Sequence, residues 1–282
     1  MSFKAYRFTV EFQWGIISRM AGSSKTSPSY LFPPPTTVIG ALAKNLAVQT
    51  RKGESAYREL FREILSGIYA ISFKVINVLP SPYTDLSRVI AIGNRGGYTF
   101  PSPKMPDKSF DVPATGKVYY SSADGNPPRI EYALVFSEQS SIIKDSGSFI
   151  DSIWKINRLG TKESLVSVVD VKETEADLLH VNKEKTQWAF PKKLLKPKSK
   201  GSYKIFKHFW VEEYVDPLRL ELTPPESFYS YEYRTPYVIP RPKMLGGEPL
   251  TFSIEAFPEY AVFKVKCEKE GEMIVGRKQG GA

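Results

Sequence analysis

The stretch Tyr30-Leu31-Phe32-Pro33-Pro34-Pro35-Thr36-Thr37-Val38-Ile39-Gly40-Ala41-Leu42 decides how this chain is read. Three successive prolines hold the backbone extended and keep helix from starting before Pro35. Thr36 or Thr37 then offers a hydroxyl to cap the first free N–H groups. Val38, Leu42 and Leu46 follow at helical spacing, so one apolar stripe faces a core. Gly40 inside that helix costs about 1 kcal/mol against alanine, which predicts that another backbone packs close to it. A stiff entry into a core helix accounts for all of this without any ligand.

Upstream, Phe3–Gln13 alternates, with Phe3, Ala5, Phe8, Val10 and Phe12 on one side and an irregularity near Tyr6-Arg7; this predicts a half-buried strand. A polar loop, Ser18 to Ser27, carries Arg19 and Lys25 as its only charges. Downstream, the helix runs to about Thr50, and a second one, Glu54–Ser66, places Tyr57, Leu60, Phe61 and Ile64 on one face. Ile68–Leu79 reads as a strand closed by Pro80 and Pro82. Residues 80–129 are proline- and glycine-rich, which excludes helix. Lys117–Ser121 and Ile130–Phe136 flank Asp124-Gly125-Asn126 and predict a β-hairpin. Ser148 starts a further helix, with Phe149, Ile153 and Trp154 facing inward and Gly160 ending it; Leu165–Val171 reads as a buried strand.

The order βαββαβ predicts an α+β fold, a ferredoxin-like (RRM-like) domain over 1–171 with a long β-hairpin insertion at 80–129. A β-rich C-terminal domain, 172–282, follows. Its candidate strands include Trp188–Phe190, Tyr203–Tyr214, Phe228–Ile239 and Ala261–Glu268, with an aromatic edge of Phe228, Tyr229, Tyr231, Tyr233 and Tyr237 and a frayed tail from Lys269.

The 282 residues are 41% hydrophobic, enough for a sizeable core. No apolar run is long enough to span a membrane, and Met1–Arg7 lacks the apolar segment of a secretory signal, so a cytoplasmic protein is expected. The single cysteine, Cys267, excludes an intramolecular disulfide and a cysteine-cluster zinc site. Of the net charge of +9, nearly all arises between Lys183 and His208, which hold nine lysines and one acid. Such a cluster points either to a polyanion or to a solvated lysine-rich hairpin. No phosphate loop, dinucleotide fingerprint, zincin motif or EF-hand loop occurs, so no cofactor or metal is expected. His208 beside Tyr203, Lys204 and Lys207 is the one grouping able to supply acid–base chemistry for metal-free RNA cleavage.

The run Phe32–Leu42 resembles the PPP[ST]T-x-x-G-x-L signature of the Cas-five family, the RAMP-superfamily subunits of type I CRISPR surveillance complexes. Arg158-Leu159-Gly160-Thr161-Lys162-Glu163-Ser164-Leu165-Val166 resembles that family's glycine turn before the last strand of its first domain. The likeness is to the archaeal type I-A form, and it covers the first 170 residues or so. It implies a non-catalytic subunit that holds the 5′ handle of the CRISPR RNA, seats a backbone subunit of the Cas-seven type, and meets the large and small subunits. The basic residues placed to hold RNA are Arg19, Lys25, Lys44, Arg95, Lys104, Arg158 and Lys162. Lys192, Lys193, Lys196, Lys198 and Lys200 are read as a surface for target DNA. Two alternatives stand beside this: a metal-independent endoribonuclease processing the precursor RNA, and an assembly adaptor that touches no RNA.

Overall fold

The computed structural model describes residues 2–20, 28–51, 53–86, 89–90, 93–106, 109–111, 114–180, 183–195, 208–219, 234–242, 250–255, 257–267 and 271–278. These form a mixed α/β architecture, mostly strands with three α-helices. In chain order they are β1 Phe3–Phe12, β2 Gly15–Ile16, α1 Pro35–Gln49, α2 Gly53–Gly67, β3 Ile68–Val75 and β4 Val78–Leu86. Short strands β5 Val89–Ile90, β6 Gly93–Arg95, β7 Tyr98–Phe100 and β8 Phe110–Asp111 lead to β9 Ala114–Ser122, β10 Arg129–Ser137, α3 Ser146–Trp154 and β11 Val166–Leu179. The remainder is β12 Lys183–Thr186, β13 Phe190–Pro191, β14 Phe209–Val215, β15 Arg234–Pro240, β16 Phe252–Glu255, β17 Tyr260–Val265 and β18 Glu272–Arg277.

The main sheet has the order β18-β17-β11-β1-β10-β3, and every neighbouring pair is antiparallel. The expected succession strand, helix pair, strand, insertion, strand, helix, strand is present as β1, α1–α2, β3, β4–β9, β10, α3 and β11. The expected boundary between 171 and 172 falls inside β11, and β17 and β18 extend the sheet that β1 began.

β1 sends apolar side chains into cores on both faces of the sheet, which corrects its reading as a half-buried strand. Tyr6, Phe8, Val10 and Phe12 point one way, into the core under α1, α2 and α3. Phe3 and Ala5 point the other way, into a second core with Ala70, Ala133, Ala176, Trp188 and Phe263. An apparent irregularity at Tyr6-Arg7 is therefore regular alternation between two cores, and the register shift lies instead between Thr9 and Val10, opposite β11. Small side chains at Ala5, Ala70, Ala133, Ala176 and Ala261 let the second face curl until β18 packs back on β3. There a Cβ on Gly276 would stand 2.3 Å from the Tyr69 carbonyl oxygen. At the open end of this curl Arg7 and Lys74 each pair with both Glu131 and Glu272. The buried Trp188 indole donates to Glu272 at 2.6 Å. Five polar groups thus satisfy one another at the rim of an apolar core.

Other expectations shift. No hydroxyl caps α1: Pro34 is its N-cap and Pro35 its first residue, the position where a missing N–H costs nothing. The neighbour of Gly40 is a side chain, the Tyr57 hydroxyl, which a Cβ would meet at 3.2 Å. Asp145, whose carboxylate accepts from the Ser148 N–H, caps α3, and Trp154 ends that helix exposed. Pro80 and Pro82 lie within β4, which is an edge strand and so tolerates them. β9 pairs with β4 rather than with β10, so the inserted hairpin is Val78–Leu86 against Ala114–Ser122 and Gly125 (φ 80°) turns between two sheets. β11, expected to be buried, is exposed over much of its length, because β17 covers only Ala176–Leu179 among the described residues. The tail forms β18 instead of fraying. Tyr237 is buried; Phe228, Tyr229, Tyr231 and Tyr233 lie outside the described residues. No helix among the described residues is long and apolar enough to cross a membrane.

The proline stretch is clamped from both sides. Phe32 is fully buried against Phe73, Tyr120 and Trp210. The Glu212 carboxylate of β14 accepts from the N–H groups of Leu31 (2.6 Å) and Phe32 (3.2 Å) and from the Tyr214 hydroxyl. The Tyr120 hydroxyl donates to the Leu31 carbonyl at 2.7 Å. Burial pushes the Glu212 carboxyl up to about 7, against the pull of its three donors. Because the folded chain keeps this proton at pH values where an unfolded carboxyl has released it, the contribution of Glu212 is full below about 4.5 and is lost as pH rises through about 7. Paired carboxylates such as Glu173 and Glu272 are shifted down and act in the opposite sense at lower pH. Urea unfolding is expected to show stability falling by about 2–3 kcal/mol across that window. Glu212→Gln should flatten the profile, and Glu212→Ala should cost about 2–4 kcal/mol by orphaning the two N–H groups. A pH profile unchanged in Glu212→Gln would contradict this account.

Candidate nucleic-acid interface

Clamping the proline stretch fixes where α1 begins and which face it turns outward. Val38, Ile39, Leu42, Ala43 and Leu46 are buried. Thr37, Gly40, Ala41, Lys44, Val48 and Arg51 form the opposite side, which lines a groove. No side chain caps the helix and no acid sits in its first turn, so its positive end is unneutralised.

The second wall is the segment after α3, anchored by the buried Ile156 and Leu159. Asn157 and Val166 close it as a turn, the Val166 N–H donating to the Asn157 carbonyl at 3.0 Å. Within it Thr161 donates its N–H to the Ile17 carbonyl (3.0 Å) and Ser164 Oγ accepts from the Ile17 N–H (2.9 Å). Gly160 has φ +123°, and a Cβ there would stand 2.7 Å from the Ile17 carbonyl oxygen. Only glycine allows the turn to lie this close to the strand leaving β2. The Thr161 hydroxyl oxygen, at the same turn, is buried without a hydrogen-bond partner.

Between α1, α2 and this turn lies a cavity of about 990 Å³. Lys44, Arg51 and Arg158 line it, and no carboxylate does among the described residues. Its apolar wall is Val48, Tyr57, Phe61 and Ile156. Arg51 is set by an unusual backbone: φ is +53° at the elbow joining α1 to α2, followed by Gly53 at φ +71°.

Of the sequence-predicted residues, the fold brings Lys44 and Arg158 together on the groove. Lys162, exposed, sits on the same turn as Arg158. Arg19 is exposed two residues beyond Ile17, in a short bridge with Ser29. Lys104 is exposed on the insertion and does not line the groove. Arg95 lies in β6, and its side chain, like the whole of Lys25, is outside the described residues. Lys117 of the insertion is engaged by Asp85 (2.8 Å) and Glu163 (3.2 Å), which hold its ammonium above its ordinary pKa, the Asp85 hydrogen bond most of all. Sequence reasoning missed Arg51, which lies past the end of α1 in a left-handed backbone conformation, so helical spacing from Lys44 gave no signal for it. His208 is exposed, while Tyr203, Lys204 and Lys207 lie outside the described residues. Lys193 pairs with Glu259 and lies over the Tyr260 ring, and Lys192 is exposed. Lys196, Lys198 and Lys200 are again outside the described residues.

No family model matches the chain. A curated protein of Saccharolobus solfataricus, CRISPR-associated protein Cas5 2, is 28% identical over 167 residues, 58% of this chain and 59% of that protein. The crystal structure of a CRISPR protein from Archaeoglobus fulgidus matches over 98% of this chain and 100% of that one, with a TM-score of 0.67 and 28% identity. The resemblance to the Cas5 family holds. The match to the curated Cas5 spans less than two-thirds of that relative's length. A structure described as a CRISPR RNA-guided surveillance complex aligns at a TM-score of 0.31, which carries no argument.

The glycine turn is open to a direct check. Gly160→Val combines a backbone conformation closed to β-branched residues with a clash on Ile17. Thermal unfolding is expected to show a loss of about 2–4 kcal/mol. A melting temperature equal to wild type would mean that the turn does not depend on this close approach.

Proposed function

We propose that this chain is a subunit of a CRISPR effector complex that holds the 5′ handle of the CRISPR RNA and does not itself cut it. The observation that carries the reading is the clustering of Lys44, Arg51 and Arg158 on one groove, with no carboxylate among its described lining residues, beside the uncapped start of α1 and the glycine turn. Positive side chains and threonine hydroxyls converging on one groove suit a phosphate backbone. The Cas5 likeness supports the same conclusion. On this reading Arg19 and Lys162 extend the track past the turn, and Arg95, Lys104 and Lys25 are further RNA contacts that rest on the sequence alone. The core is a ferredoxin-like domain, supported by the strand order β11-β1-β10-β3 with helices on one face. The complex is a cytoplasmic, type I-A Cascade in which the chain seats a Cas-seven backbone subunit and meets the large and small subunits. Target DNA passes the lysines around Lys192 and Lys193.

The test is binding of labelled guide RNA carrying its handle, alongside repeat RNA with and without EDTA. Lys44→Glu, Arg51→Glu and Arg158→Glu should each weaken binding about tenfold and lower the slope against log salt by about 0.7. Cleavage that survives EDTA would replace this reading with an endoribonuclease and direct attention to His208. Salt-insensitive assembly with no RNA binding would leave the adaptor.

A further inference from the structure

The groove is more than a row of cations. Phosphates alone need no apolar wall, yet one side of this cavity is built from the half-buried Tyr57, the Phe61 below it on α2, Ile156, and Val48, which is 69% exposed. Tyr57 and Phe61 sit one helical turn apart with ring centroids 6.1 Å apart, making a continuous aromatic flank. α1 contributes Gly40 and Ala41 to the lining, and the Tyr57 hydroxyl rests against Gly40, so a larger residue at 40 would push the Tyr57 ring out of its place. The three cations stand around this slot. A ligand suited to this lining offers an apolar face to the rings and negative charge beside it. Asn157, Thr36 and Thr37, also on the lining, offer polar groups to an edge.

We infer that the slot bounded by α1, α2 and the glycine turn takes one unpaired nucleobase of the bound RNA, stacked along Tyr57, with the phosphates on either side held by Lys44, Arg51 and Arg158. This rests on the RNA-holding reading and goes beyond it, since it makes α2 part of the binding surface and one nucleotide distinct from its neighbours. An aromatic stack is tolerant of base identity, so the slot fixes the register of the strand more than its sequence. The left-handed turn at Arg51 then has a role: it carries the guanidinium from the end of α1 to the mouth of the slot.

The test uses the full chain and a short single-stranded RNA in which 2-aminopurine replaces each base in turn. One position should be quenched on binding and the others little changed. Gly40→Leu, which displaces the Tyr57 ring, and Tyr57→Leu, which removes it, should each abolish that quenching and weaken binding about tenfold. The salt slope should stay at its wild-type value, because the phosphate contacts remain; circular dichroism melts confirm folding of both variants. Salt-dependent binding with no quenched position, or with quenching that survives both substitutions, overturns the slot and leaves the RNA-holding reading standing; it is also the result expected if the groove docks a protein segment. No RNA binding by wild type overturns both.

Discussion

The Glu212 carboxylate is the contact on which the rest depends. Between Leu31 and Pro35 the backbone has only two N–H groups, since three of the five residues are prolines. The segment makes no strand pairing among the described residues, so those two hydrogens need other acceptors. Glu212 accepts both, and Tyr120 supplies the donor for the Leu31 carbonyl. Every backbone polar group there must find a partner when water is excluded, and here two side chains from distant parts of the chain provide them. The carboxylate itself gives up hydration to do so, which is why its proton is held to about pH 7. The clamp sets the position of α1, and with it the direction in which Lys44 and Arg51 point.

The clamp also joins the first and last thirds of the chain. Glu212, Tyr214 and Trp210 belong to β14, and they close over Tyr30 and Phe32. The same joining happens on the main sheet, where β17 and β18 continue a layer begun by β1. A strand flanked on both faces by apolar cores can hold few polar side chains. Arg7 and Lys74 are kept there by two glutamates and an indole whose geometry is complete only when β18 and the Trp188 segment are in place. The C-terminal region is thus a structural part of the sheet that supports the groove.

Much of the groove was legible locally. Lys44 lies on the outward face implied by Val38, Leu42 and Leu46, and Arg158 and Gly160 belong to one glycine turn. Their meeting was not legible, because it depends on Thr161 and Ser164 finding Ile17 across most of the first domain. Arg51 escaped because a non-glycine residue at positive φ arises from the elbow between two helices, which no propensity forecasts. The pairing of Lys117 was equally illegible, because only the pairing of β9 with β4 brings Asp85 to it.

By itself the sequence determined the order of strands and helices in the first domain, the buried stripe of α1, the proline entry that stiffens it, and the basic residues from which a cationic surface could be made. Those come from short-range rules, periodicity and proline stereochemistry, that act within a few residues. Tertiary structure decided which strands pair, that β1 buries both faces, that β9 folds against β4, and that three cations surround one aromatic slot. Each of these is a contact between residues far apart in the chain, chosen by which surfaces bury the most apolar area while leaving no backbone donor unpaired, and neither condition can be evaluated until the whole chain is folded.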